Sequence, residues 1–85
     1  MASYKVRIKR SAGKELETIP LKDRRRLVSR IEKLGTNPRP PGCEKLSGEE
    51  KYRLRQGDFR ILYQILDRDL VVMVVRIGHR RDVYR

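Results

Sequence analysis

The side chains with the clearest capacity for chemistry are guanidinium groups. Tyr52-Arg53-Leu54-Arg55 alternates apolar and basic residues, and strand residues two apart share a face, so Arg53 and Arg55 project together. A turn at Gln56-Gly57-Asp58 leads into Phe59-Arg60-Ile61-Leu62-Tyr63, where Phe59, Ile61 and Tyr63 form one row and Arg60 takes the opposite parity. Packing that row and Leu54 against helices leaves Arg53, Arg55 and Arg60 on the open side of a sheet. A last apolar strand closes at Gly78 and delivers His79, Arg80 and then Tyr84. Like charges facing one another across strands destabilise a sheet, and Tyr52 to Gln56 carries no carboxylate to absorb the repulsion. Phosphate suits such a cluster, because the planar guanidinium grips it through paired hydrogen bonds and keeps its charge.

The composition points the same way. The chain has 85 residues with 22 Lys and Arg against 11 Asp and Glu, a net charge of +11, and fifteen Arg to seven Lys. Both halves are basic, so the charge belongs to the folded body and favours a polyanion, nucleic acid before membrane headgroups or an acidic protein. Several chemistries are excluded by the residue inventory. There is no Gly-rich phosphate loop, no His–Cys metal spacing, no Ser–His–Asp set, and one His rules out a two-His mechanism within a chain. Cys43 is alone, so no intrachain disulfide forms and no Cys-based metal site is expected. Met1 to Lys5 leads into no apolar stretch, and the longest apolar run, Leu70 to Val75, is far too short to span a bilayer. A cytoplasmic protein without membrane contact is the expectation.

The elements that must position these groups are read from periodicity. Tyr4 to Lys9 alternates as a strand. Ser11 suits a helix N-cap, Glu15 lies in the first turn, and Ala12, Leu16 and Ile19 mark a short helix ended by Pro20. A second helix runs from about Leu21 to Leu34, with Leu27, Val28, Ile31 and Leu34 on one face and Gly35 as C-terminal cap. Its other face carries Lys22, Arg26, Arg30 and Lys33, either a grip on RNA or an ordinary solvated surface. Asn37 to Gly42, with three prolines, is an extended loop. Leu70 to Val75, apolar on both faces, is expected as a central covered strand. The order predicts an α+β domain spanning 1–85: an N-terminal strand, an antiparallel helical hairpin, a three-stranded antiparallel meander and a short C-terminal tail. The first strand is expected at an edge of the sheet.

Glu44-Lys45-Leu46-Ser47-Gly48, Tyr52-Arg53-Leu54-Arg55, Gly57-Asp58-Phe59-Arg60-Ile61-Leu62-Tyr63 and Ile77-Gly78-His79-Arg80-Arg81-Asp82-Val83-Tyr84, in this order, resemble the RelE/ParE toxin superfamily. The resemblance covers nearly the whole chain. For a RelE-type member it implies an mRNA interferase that enters the ribosomal A site and cleaves mRNA by attack of a ribose 2′-hydroxyl, without a metal or other cofactor. It maps the active site onto Arg53, Arg55, Arg60, Arg80 and Tyr84. Arg60 and Arg80 would clamp the scissile phosphate, and Arg53 and Arg55 would hold the backbone and the developing charge. Lys45, Lys51 and Arg81 join the helix stripe as RNA contacts. The best-known members carry Lys at the positions of Arg53 and Arg55. Arg cannot serve as a base, so the base falls to Tyr84 or His79.

The resemblance also implies an acidic, RelB-like antitoxin that wraps the toxin, and contact with promoter DNA only through the toxin–antitoxin complex. Three alternatives keep the fold or the charge and change the activity. A ParE-like relative would poison DNA gyrase. A plain nucleic-acid-binding module would bind with steep salt dependence and cleave nothing. A degenerate toxin would have lost activity with its lysines.

Overall fold

The computed structural model describes residues 3–46 and 50–79. Strand β1 (Lys5–Ile8) leads into helices α1 (Arg10–Glu17) and α2 (Leu21–Lys33). A two-residue strand β2 (Glu44–Lys45) follows, then β3 (Lys51–Gln56), β4 (Phe59–Leu66) and β5 (Val71–His79). The five strands form one sheet in the order β1-β5-β4-β3-β2. β1 runs parallel to β5 at the edge, and the other pairs are antiparallel. The α+β class, the edge position of the first strand and the meander are as expected. β2 is an addition, since two residues are too few to show a period.

The period-2 reading of β3 and β4 holds. Tyr52, Leu54, Ile61, Tyr63 and Ile65 are buried on one face, against Ala12, Ile19, Leu27, Ile31 and Leu34 from the helical side. The two-residue turn Gly57-Asp58 joins the strands, with Gly57 at φ 60°, the sign a type II′ hairpin needs at its first central residue.

β5 breaks the period, and the break sets the site. Leu62 stands opposite Arg76 and Tyr63 opposite Val74, so Val75 is an extra residue in the ladder. Such a bulge reverses facing along the bulged strand. Val72, Val74 and Ile77 therefore all point into the core. Uninterrupted alternation from Val74 would have turned Ile77 and His79 outward. The bulge turns them inward and sends Arg76 and Gly78 to the outer face.

Four local expectations are corrected. Ser11 is inside α1, whose N-cap is Lys9 and carries no side-chain hydrogen bond. Gly35 follows the cap Leu34 without a left-handed φ. Its small size matters because a Cβ there would sit 3.1 Å from the Tyr4 carbonyl oxygen, where the Tyr4 N–H donates to the Gly35 carbonyl. Leu70 belongs to the β4–β5 turn at φ 53°, not to the strand. β5 is interior but, among the described residues, covered on one face only, with Val71, Met73 and Val75 half-buried on the other.

The proline-rich loop is pinned. The Tyr63 hydroxyl donates to the Pro38 carbonyl at 2.8 Å, and burial pushes this phenol well above its ordinary pKa. The Arg39 guanidinium lies over the Tyr52 ring, donates to the Tyr52 hydroxyl and grips Asp67 in the β4–β5 turn. The Tyr4 hydroxyl donates to the same carboxylate at 2.6 Å. Hydrogen bonds from Arg39 and then Tyr4 hold the Asp67 carboxyl below its usual range.

Candidate nucleic-acid interface

The outer face of the sheet carries the arginines in two adjacent rows. In the first, Arg55 of β3 is the cross-strand partner of Arg60 of β4, which in turn faces Gly78 of β5. In the second, Glu44 of β2 faces Arg53, then Leu62, then Arg76. Directly opposed residues share a face, so Arg53, Arg55 and Arg60 point away from the helices, while Arg76 starts on that face and reaches back to α1.

The rows differ in charge compensation. Arg53 forms an ion pair with Glu44, which corrects the expectation of no interleaved carboxylate: it comes from another strand, not from the Tyr52–Gln56 segment. Arg76 is paired with Glu15 of α1 at 3.2 Å. The other oxygen of Glu15 accepts the Ile77 N–H at 3.1 Å, on a stretch of β5 that extends past its pairing with β1. Among the described residues no carboxylate pairs with Arg55 or Arg60. Arg60 is 8% exposed, and its Nη1 donates to the carbonyl of its own neighbour Phe59 at 3.1 Å. Gly78 beside it contributes no side chain. A charge held low on the sheet next to a second, exposed one makes an anion seat with a fixed floor and an adaptable rim.

The structure does not bring His79 to this seat. It lies on the helix side, edge-on to Phe59 with ring centroids 6.0 Å apart, lining a cavity of about 440 Å³ with Glu15, Thr18, Ile19 and Ile77. The bulge at Val75 is the reason. Arg80, Arg81 and Tyr84 lie outside the described residues.

The remaining RNA-contact candidates divide. Arg26, Arg30 and Lys33 line one cleft with Arg25, Ser29 and Gln56, and Lys22 does not reach it. Lys51 shares the face of Arg53. Lys45 stands opposite Tyr52, on the other parity, and its ammonium is paired with Glu50 at 3.3 Å. Glu15, Glu44 and Arg76 are the polar residues that sequence reasoning missed at this site. Their partners are 61, 9 and 61 residues away, beyond any local pattern. Among the described residues no group of three or more His, Cys, Asp or Glu is placed to hold a metal ion, and no helix is long and apolar enough to cross a membrane.

The model of the ParE toxin family of type II toxin–antitoxin systems matches residues 6–84. The chain belongs to the RelE/ParE toxin superfamily. It is 33% identical to a RelE-like toxin protein of Escherichia coli over 95% of its own length and 90% of that protein's. It is 31% identical to a RelE toxin of Methanocaldococcus jannaschii over 96% of each. Solved structures agree. The archaeal RelE–RelB complex of Pyrococcus horikoshii superposes with a TM-score of 0.83 at 28% identity, covering 94% of this chain and 98% of that one. The RelBE2 toxin–antitoxin complex of Mycobacterium tuberculosis gives 0.82 at 27% identity, covering 92% and 99%. The family model carries the ParE name, whereas these relatives and structures carry RelE names. By family the chain is a toxin of a type II toxin–antitoxin system.

Proposed function

We propose that this toxin is a RelE-type ribonuclease that cleaves mRNA in the ribosomal A site, acting in the cytoplasm as one domain over residues 1–85. The observation that supports it is the opposed pair Arg55 and Arg60, two cations with no carboxylate partner among the described residues, on a sheet face that no described element covers. A fold tolerates such repulsion most readily where an anion relieves it.

The reaction is an internal transfer. The ribose 2′-oxygen forms a bond to the adjacent phosphorus while the bond from phosphorus to the 5′-oxygen breaks, leaving a 2′,3′-cyclic phosphate and a free 5′-hydroxyl. One proton leaves the 2′-hydroxyl and one is delivered to the 5′-oxygen. Neither bond change requires a metal. Negative charge grows on the non-bridging oxygens, where preorganised donors are worth most. Arg60, fixed in the sheet, and Arg80 hold those oxygens. Arg55 supports the developing charge, and Arg53, steadied by Glu44, holds the flanking backbone. Tyr84 is the base. Lys51 and Arg81 add backbone contacts, and the α2 cations meet RNA on the other side.

Neutralisation falls to an acidic, RelB-like antitoxin, in keeping with the antitoxin complexes among the solved relatives. A net charge of +11 favours an acidic partner that orders on binding, and promoter DNA is met only through that complex.

The test is primer extension on mRNA in a purified translation system. Codon-phased cuts that require ribosomes, and vanish in Arg60→Ala, are expected. Inhibited gyrase supercoiling with uncut mRNA would instead place the toxin with its ParE namesakes. Binding without growth arrest or cleavage would leave a bare nucleic-acid-binding module or a degenerate toxin.

A further inference from the structure

The strongest unassigned feature lies behind the arginine face. Arg25, Arg26, Ser29, Arg30 and Lys33 of α2 line a shallow, open cleft of about 450 Å³, with Gln56 of β3 at its rim. On a helix these five positions form a single face. Four of the six lining residues are cations and none is a carboxylate. Among the described residues no ion pair reaches any of the four. The negative end of the helix dipole accounts for Arg30 and Lys33 in the last turn, not for Arg25 and Arg26.

A second observation points to a ligand. Arg30 Nε is shut off from solvent and has no hydrogen-bond acceptor among the described residues. This N–H has no acceptor inside the fold, so turning the Arg30 guanidinium toward an anion in the cleft breaks no hydrogen bond at Nε. The Ser29 hydroxyl and the Gln56 amide add neutral donors at the rim. Four positive charges and four kinds of donor around a small cleft suit a tetrahedral oxyanion better than any neutral ligand.

The location adds the rest. Gln56 directly follows Arg55 on β3, and consecutive strand residues point to opposite faces. The cleft and the Arg55–Arg60 pair are thus back to back across one strand end. β2 covers β3 only at Tyr52 and Arg53, so among the described residues no strand walls off that edge.

We propose that the α2–β3 cleft is a phosphate pocket, taking one phosphodiester of an RNA strand while Arg55 and Arg60 hold another across the sheet. Arg25, Ser29 and Gln56 join the pocket, and Lys22 stands outside it. The RNA is either the cleaved strand or a strand of the ribosome; the phosphodiester chemistry is common to both. The assignment rests on RNA being the toxin's target, but occupation of the cleft by an oxyanion does not.

The test uses the full-length toxin, isotope-labelled and titrated with inorganic phosphate. Saturable shifts of the Arg30 Nε–H and Gln56 amide signals are expected. In Ser29→Glu, which changes an exposed residue, those shifts should vanish while shifts at Arg55 and Arg60 persist. Affinity is then measured for two probes: an RNA oligonucleotide with a 2′-deoxyribose at the scissile position, and small ribosomal subunits. Arg26→Gln should reduce the slope of log K against log salt by about 0.7, the increment for one phosphate contact on a single strand. Loss confined to the oligonucleotide assigns the cleft to the cleaved strand; loss confined to subunits assigns it to ribosomal RNA. Phosphate shifts absent from the cleft, or wild-type affinity and slope in both variants on both probes, overturn the proposal. Cleavage is scored separately, so a toxin that binds through the cleft and cuts nothing sinks the ribonuclease assignment and spares the pocket.

Discussion

Arg55→Gln should make the toxin more stable and nearly inactive at once. Arg55 stands directly opposite Arg60, and like charges in that position cost a sheet roughly 0.2–1 kcal/mol. Arg55 is exposed, which places the effect near the middle of the range, about 0.5 kcal/mol. For a domain of this size 1 kcal/mol moves the midpoint by about 4–8 °C, so a rise of about 2–4 °C is expected. Screening sets a second condition. The Debye length falls from about 10 Å at 0.1 M salt to about 3 Å at 1 M, so the gain should shrink as salt is added. Function should move the other way. Loss of one donor to a developing oxyanion costs about 10²–10³ in rate.

The assay pairs thermal unfolding at low and high salt with single-turnover cleavage on programmed ribosomes. Arg53→Gln is the internal control, since it lies two residues along the same strand but carries a partner. Breaking its pair with Glu44 should leave the midpoint unchanged or lower it, because such partly exposed pairs contribute about 0–1 kcal/mol. A midpoint that falls in Arg55→Gln at low salt, or rises equally in both variants, would show that the opposed pair stores no repulsion. Unaltered cleavage would remove Arg55 from the site.

Three further outcomes concern the scaffold. Tyr63→Phe deletes the buried hydrogen bond to the Pro38 carbonyl and should cost about 1–3 kcal/mol in urea unfolding, the penalty of an orphaned buried acceptor. Leu70→Gly relieves a left-handed backbone at a side chain that is 42% exposed, and should raise stability by about 1 kcal/mol in the same measurement. Asp67 contributes to pH dependence with a defined sign. Its folded pKa lies below the unfolded one of about 3.9, so its contribution is complete above that value and is lost as pH falls through the folded pKa. The midpoint gap between wild type and Asp67→Asn should therefore be constant near neutrality and close in acid.

Which parts of this were legible in the sequence follows from the range of the forces. Alternation in Tyr52–Arg55 and Phe59–Ile65 reports burial on one face, a local property, and it placed Arg53, Arg55 and Arg60 together correctly. The hairpin turn was legible from Gly57. The bulge was not, because Val75 in an all-apolar run has nothing to mark it, and one inserted residue reverses everything after it. His79 was misplaced for that reason alone. Ser11 looked like a cap by type, yet the helix begins one residue earlier, where the Lys9 carbonyl already accepts the Gly13 N–H. Glu44 and Glu15 neutralise arginines across long sequence separations, which no pattern reveals.

The position of His79 bears directly on the proton taken from the 2′-hydroxyl. Arg53, Arg55 and Arg60 cannot release a proton near neutral pH. His79 is separated from them by the sheet, edge-on to Phe59. The described tyrosines are committed elsewhere: Tyr63 to Pro38, Tyr4 to Asp67, Tyr52 to Arg39. Of the proposed candidates Tyr84 is left, and a guanidinium beside a phenol favours its phenolate. A phenol base gives a cleavage rate that climbs about tenfold per pH unit through the region where an imidazole would already have levelled off, near pH 6.5. The log rate of single-turnover cleavage should thus rise linearly from pH 6 to 8 in both wild type and His79→Ala, and the slope should be lost in Tyr84→Phe. A plateau that disappears in His79→Ala would mean that the imidazole reaches the RNA after all, and that the inward turn at Val75 does not persist when substrate binds.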